Sequence, residues 1–190
     1  MNKRQFLGSA ALGAFPASTL AATAMPGPAL LTVTGNIKRT NRGALDPVRD
    51  QMMHKQKLAF DKAYTFDFAA LLALPAVQIR PTLEYDAKMH TLRGPRLTDI
   101  LKTVGAAGGD KARVALRAVD GYAASLGLEQ IREMGMIVAT HFDGQPMALG
   151  GLGPLWAVYD ADRVAKAAAL PLPERFASCP WALYHIDVTS

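Results

Sequence analysis

One cysteine, Cys179, stands in a chain of 190 residues, so no internal disulfide can staple the fold and stability must come from an apolar core. Charge is also sparse. Asp, Glu, Lys and Arg make up 19% of the chain against 50% apolar residues, a balance that excludes wholesale disorder and supports one sizeable core. The formal net charge is +5, yet no run of clustered Lys and Arg interleaves with aromatics, so no nucleic-acid partner is expected. A G-x-S-x-G elbow is missing, which leaves a hydrolase nucleophile unsupported. His54, His90, His141 and His185 lie far apart and form no H-x-x-x-H pair, so zinc and haem attachment lack local ligand spacing. His141 and His185 fall in expected strands and read as hydrogen-bonded structural residues. The glycine-rich stretch 150–153 (GGLG) lacks G-x-G-x-x-G spacing and reads as a turn or a close backbone approach to a ligand.

No uninterrupted apolar run reaches the ~20 residues that a membrane span needs. The start of the chain instead has the three parts of a cleavable signal peptide. Lys3 and Arg4 form the charged beginning, residues 6–15 the apolar stretch, and Ala22-Thr23-Ala24 the small-residue cleavage site. Pro16, Pro26 and Gly27 interrupt the stretch and argue against an uncleaved anchor. The string KRQFL at 3–7 resembles a twin-arginine signal with Lys in the first place, and ordinary Sec export stays open. A signal peptide over residues 1–24 and a single domain over 25–190 are therefore expected, with delivery to the periplasm and no span after cleavage. Without Lys3 and Arg4, the leader's only charged side chains, the domain carries a formal +3.

Within the domain, strands are expected over residues 30–35, 77–85, 113–119, 136–142, 155–159 and 181–188. A surface excursion fills 36–62, with a helical stretch at 47–56, and short helices are expected at 66–74, 128–134 and 162–170. The clearest helix covers 97–104, where Leu97, Ile100, Leu101 and Val104 repeat at i, i+3, i+4, i+7 and Gly105 stops it. Asp143-Gly144 is a hairpin turn. Short strands outnumber helices without a clean βαβ alternation, which predicts an α+β domain on a mixed, largely antiparallel sheet.

Five blocks in order carry a resemblance: LTVTG at 31–35, GPRLTDILKTVGA at 94–106, AVDGY at 118–122, IVAT at 137–140 followed by DGQP at 143–146, and GPLW at 153–156. Together they resemble the oxidoreductase molybdopterin-binding domain, the sulfite-oxidase fold, in its small exported form. The likeness runs over roughly residues 30–188 and implies a site built around a pterin. Catalytic members of that family hold molybdenum through a cysteine thiolate after an early strand. The corresponding stretch here, VQIRPTLEY at 77–85, has no cysteine, and Cys179 does not stand in by local position. The resemblance therefore implies an exported, metal-free pterin-binding protein, not expected to be an enzyme, that modulates the periplasmic domain of a membrane signalling protein. The alternative is a molybdenum-cofactor-dependent oxidoreductase with an atypical metal ligand, for which molybdopterin would be the cofactor.

A pterin is flat, so rings should cover its face, and its amino-pyrimidinone edge offers paired N–H donors that suit a carboxylate. The candidates are Glu84 and Asp120 as carboxylates, Tyr85, Tyr122 and Trp156 as stacking groups, and Arg80 and Thr82 as donors. Each also has a plain structural reading: Asp120 can form the turn with Gly121, Tyr122 and Trp156 can be core, and Arg80 can pair with Glu84.

Overall fold

The computed structural model describes residues 27–189, so the leader expected over 1–24 lies outside the described residues. In chain order the strands are β1 (Leu31–Gly35), β2 (Tyr64–Phe66), β3 (Ala76–Ile79), β4 (Leu92–Pro95), β5 (Arg113–Ala118), β6 (Ala123–Gly127), β7 (Ile137–Ala139), β8 (His141–Phe142), β9 (Gln145–Pro146), β10 (Trp156–Val158) and β11 (Leu183–Thr189). The helices are α1 (Gln51–Lys55), α2 (Phe68–Leu72), α3 (Leu97–Thr103), α4 (Leu128–Met134) and α5 (Ala165–Ala168), with 3₁₀ turns at Gly109–Lys111 and Leu172–Glu174. The domain is α+β, with mixed, largely antiparallel sheets and short helices.

The main sheet has the order β2-β1-β11-β5-β6. Only β1 and β11 run parallel; the other pairings are antiparallel. Alternation explains the packing. Leu31 and Val33 of β1, Ile186 and Val188 of β11, and Val114 and Leu116 of β5 are buried in the common core. The opposite face is polar: Thr32, Thr34 and His185 are buried on it, and Thr34 and His185 are hydrogen-bonded to each other. Thr34 Oγ1 lies 3.0 Å from His185 Nε2 and donates to Asp187 Oδ1 at 2.7 Å.

A second layer pairs β3-β4-β8-β9, and β10 pairs with β7. An Arg96–Ile137 bridge and the Leu97 N–H to Met136 carbonyl bond join the two groups through β4. The strand expected over 136–142 is thus two short strands, broken at Thr140, which hydrogen-bonds back to Arg93. Gly94 makes this layer possible. A Cβ there would lie 1.9 Å from the Val138 carbonyl oxygen.

Two other expectations change. The strand over 77–85 ends at Ile79, because Pro81 has no N–H for a ladder. Residues 81–90 instead fold back on themselves, with Leu83 N–H bonded to the Lys88 carbonyl, His90 N–H to Pro81, and a Thr82–Met89 bridge. The helix over 162–170 shortens to α5, and its start becomes a turn. α3 forms as its periodicity predicts, burying Leu97, Ile100 and Leu101, and Gly105 at φ +63° ends it.

Candidate functional site

Three irregular segments meet at one end of the main sheet. The first is the 81–90 loop. Asp162 Oδ2 accepts from the Thr82 N–H at 2.7 Å, and Asp160 Oδ2 from the Arg80 N–H at 3.3 Å, which fixes the loop's root. Its far end is held by His90, whose Nδ1 lies 2.7 Å from Asp143 Oδ2 and whose Nε2 lies 3.1 Å from Asp86 Oδ2. The Asp143 carboxylate, ahead of the Asp86 one, holds the His90 pKa above its ordinary value, and desolvation opposes both.

The second segment is the β5–β6 turn. Gly121 adopts φ +93°, and Asp120 Oδ1 accepts from the Tyr122 N–H at 2.9 Å, as its turn reading requires. The third is the stretch before β11. Trp156 Nε1 donates to the Cys179 carbonyl at 2.9 Å, the Ala157 N–H donates to the Pro180 carbonyl at 3.2 Å, and the Tyr122 hydroxyl donates to the Ala177 carbonyl.

Between them lies a cavity of about 440 Å³. Glu84 and Tyr85 come from the first segment, Ala118, Asp120 and Tyr122 from the second, and Phe176, Ala177, Cys179, Pro180 and Trp181 from the third. Tyr85, Tyr122 and Trp181 remain 55%, 47% and 43% exposed, so each has ring surface that a ligand can cover. Burial, helped by the adjacent Glu84 carboxylate, pushes the Tyr85 hydroxyl up to about 12. Burial also pushes the Cys179 thiol well up, with Glu84 adding to it and a Tyr159 backbone hydrogen bond opposing. Both groups are therefore neutral at neutral pH, and the lining's formal charge comes from Glu84 and Asp120.

Four of the seven residues singled out in the sequence, Glu84, Tyr85, Asp120 and Tyr122, thus share one cavity. The other three sit elsewhere. Trp156 is fully buried behind the wall, packed on Phe176 with ring centroids 6.0 Å apart, so its indole presents no open face. Arg80 and Thr82 are held at the root of the loop through their backbone N–H groups, outside the lining. Trp181, Phe176 and Cys179 went unmarked as site residues. The signal for them was the Cys179-Pro180-Trp181 string, an apolar cluster with a large ring just ahead of the last strand. Local position excluded Cys179 from the neighbourhood of Glu84, but folding brings the two to one cavity.

Other features are structural or remote. His185 is buried, and its pKa falls to about 4, first by desolvation and also through Arg117, while Asp187 opposes. His141 Nδ1 lies 2.8 Å from Thr140 Oγ1, and desolvation followed by the Arg93 charge lowers its pKa. A larger cavity of about 640 Å³ runs between α4 and α5, beside Glu129, Glu133, Tyr159 and Lys166, but contains none of the seven residues. No helix among the described residues is long and apolar enough to cross a membrane.

No protein-family model matches the chain, and no curated protein does. Among solved structures, it is similar to the crystal structure of the sulfane dehydrogenase SoxCD from Paracoccus pantotrophus, with a TM-score of 0.53 and 12% identity. The match covers 83% of this chain and 37% of that one, so this chain corresponds to a little over a third of the dehydrogenase chain. At that identity the likeness is one of fold.

Proposed function

We propose that this chain is an exported pterin-binding protein that works without catalytic molybdenum and modulates the periplasmic domain of a membrane signalling protein. The observation that carries this reading is the convergence of Glu84, Tyr85, Asp120 and Tyr122, together with Trp181, on a single cavity. Three partly exposed rings suit the faces of a flat heterocycle. Two carboxylates suit the paired N–H groups of its amino-pyrimidinone edge. The fold likeness to a sulfane dehydrogenase agrees with the sulfite-oxidase resemblance of the five sequence blocks and supports a site descended from a cofactor pocket.

A molybdenum cofactor fits these residues poorly. It needs a thiolate at the metal and donors for its phosphate. The lining offers one thiol that burial and Glu84 keep protonated, and no Lys, Arg or His. The oxidoreductase reading keeps one observation in its favour, the presence of Cys179 in the lining. Metal analysis of protein purified from its native compartment separates the two, and stoichiometric molybdenum would overturn ours. Extraction of the same protein should release a fluorescent pterin, and stripped protein should rebind added reduced pterins. Failure of both would leave a structural subunit with no ligand. Asp120→Asn is the sharper variant, because its side-chain oxygen can still accept from the Tyr122 N–H while the charge is gone. It should weaken pterin binding and leave the far-ultraviolet circular dichroism unchanged.

A further inference from the structure

We infer that this cavity sorts ligands by charge, admitting an uncharged or protonated pterin and excluding the same pterin once it carries phosphate. The inference rests on the pterin reading above and specifies which form of the ligand the site takes. The lining holds two carboxylates and no cationic side chain. Tyr85 and Cys179 cannot supply compensating charge, since both are neutral when protonated and anionic otherwise. Phosphate is ordinarily held by Arg, Lys or the N–H groups that open a helix, and none of the lining residues belongs to a helix. The rings of Tyr85, Tyr122 and Trp181 add attraction for a protonated heterocycle and none for an anion.

This composition runs against that of the chain as a whole. Lys and Arg number 21 against 16 Asp and Glu, so cations are not scarce. They are placed elsewhere: a separate cavity of about 290 Å³ is lined by Arg96 and Arg163 together with Glu133 and Asp160. A phosphate brought to within roughly 7 Å of each carboxylate, in surroundings of intermediate dielectric, loses affinity on the order of tenfold per carboxylate.

The test compares hydroxymethyl-dihydropterin with its diphosphate on purified, ligand-stripped protein at low salt, by calorimetry under anaerobic conditions. The diphosphate should bind on the order of tenfold or more weakly, and added salt should narrow the gap. Glu84→Gln and Asp120→Asn should each narrow it as well, because each weakens the pterin-edge contact in both ligands but relieves a repulsion only in the diphosphate. Equal or tighter binding of the diphosphate by the wild-type protein would overturn the charge sorting and leave the pterin reading standing. Binding of neither compound would overturn both. A gap that persists undiminished in both variants, with folding intact by circular dichroism, would also overturn the assignment to these carboxylates.

Discussion

Replacing Trp156 by Phe tests the architecture behind the cavity and yields a reporter in front of it. Trp156 is fully buried, its Nε1–H donates to the Cys179 carbonyl at 2.9 Å, and its ring packs on Phe176. Phe retains an aromatic ring but loses the donor. The Cys179 carbonyl then loses this partner in a dry setting, at a cost of about 1–3 kcal/mol. The smaller ring also leaves ~40 Å³, which at about 24 cal/mol per Å³ adds ~1 kcal/mol. The sum, about 2–4 kcal/mol, corresponds to a fall in Tm of about 5–15 °C for a domain of this size. Scanning calorimetry reads that directly, with urea unfolding followed by circular dichroism as the check.

The same variant isolates a signal. The chain has two tryptophans, so Trp156→Phe leaves Trp181 alone, 43% exposed on the cavity's lining. Its emission should be red-shifted relative to the wild type, and bound pterin should quench it. A Tm change below about 2 °C would refute the role given to the indole hydrogen bond. A single remaining fluorophore that emits as a buried indole, or ignores saturating pterin, would refute the placement of Trp181.

Three further outcomes follow from the geometry. Gly94→Ala should destabilise the domain by about 1–3 kcal/mol or more in urea unfolding, because its Cβ would meet the Val138 carbonyl oxygen at 1.9 Å and backbone must move. A cost below about 0.5 kcal/mol would refute the close approach of β4 and β7. His90 has a folded pKa raised above 6.5, so its contribution to stability is complete below that value and disappears as pH rises through the folded pKa. The stability difference between wild type and His90→Gln should therefore shrink from about pH 6 to about pH 8, and a difference that grows over that range would sink the clamp. Asp86 and Asp143 are shifted downward, His90 being the largest cause for each, so the clamp also weakens at the acid end as they protonate. His185 runs the opposite way. Its folded pKa of about 4 lies below the ordinary 6.5, so stability is complete above 6.5 and falls as pH drops toward about 4. The loss amounts to up to about 3 kcal/mol, and His185→Gln should be free of that component.

The parts of the fold legible in the sequence are those in which local chemistry and tertiary packing agree. α3 could be read because Leu97, Ile100 and Leu101 repeat at helical spacing and all three are buried. The β8–β9 hairpin could be read because Asp143 and Gly144 adopt φ +45° and +82°, which Asp-Gly tolerates. β6 went unseen, since AASLG has weak strand preference and becomes a strand only through pairing with β5 and burial of Ala124 and Leu126. β4 was hidden for a related reason: Gly94-Pro95 reads as a helix entrance, and it is antiparallel pairing with β3 that makes it a strand. At the site, Asp120 and Tyr122 were marked by the AVDGY block that carries them. Glu84 and Tyr85 were marked on the assumption of a strand that ends before them, so their convergence on the cavity depends on the folded loop.

Cys179 shows why chain-local reasoning stops short of a site and why proximity alone does not finish it. The sequence argument set it aside for lying far from the stretch where a metal-binding thiolate belongs, yet the fold carries it to a shared wall with Glu84. What then decides its chemistry is the field around the sulfur. A thiol becomes a useful ligand or nucleophile where cations or a helix N-terminus favour the anion. Here burial is the dominant influence, the Tyr159 backbone hydrogen bond opposes it, and the Glu84 carboxylate adds to it. Glu84, one of the two acidic groups offered to a pterin's N–H edge, thus adds to the burial that holds the sulfur protonated. In the proposed reading, one electrostatic arrangement would serve both affinity toward a neutral or protonated heterocycle and discrimination against its phosphate ester, and it fits a molybdenum thiolate poorly.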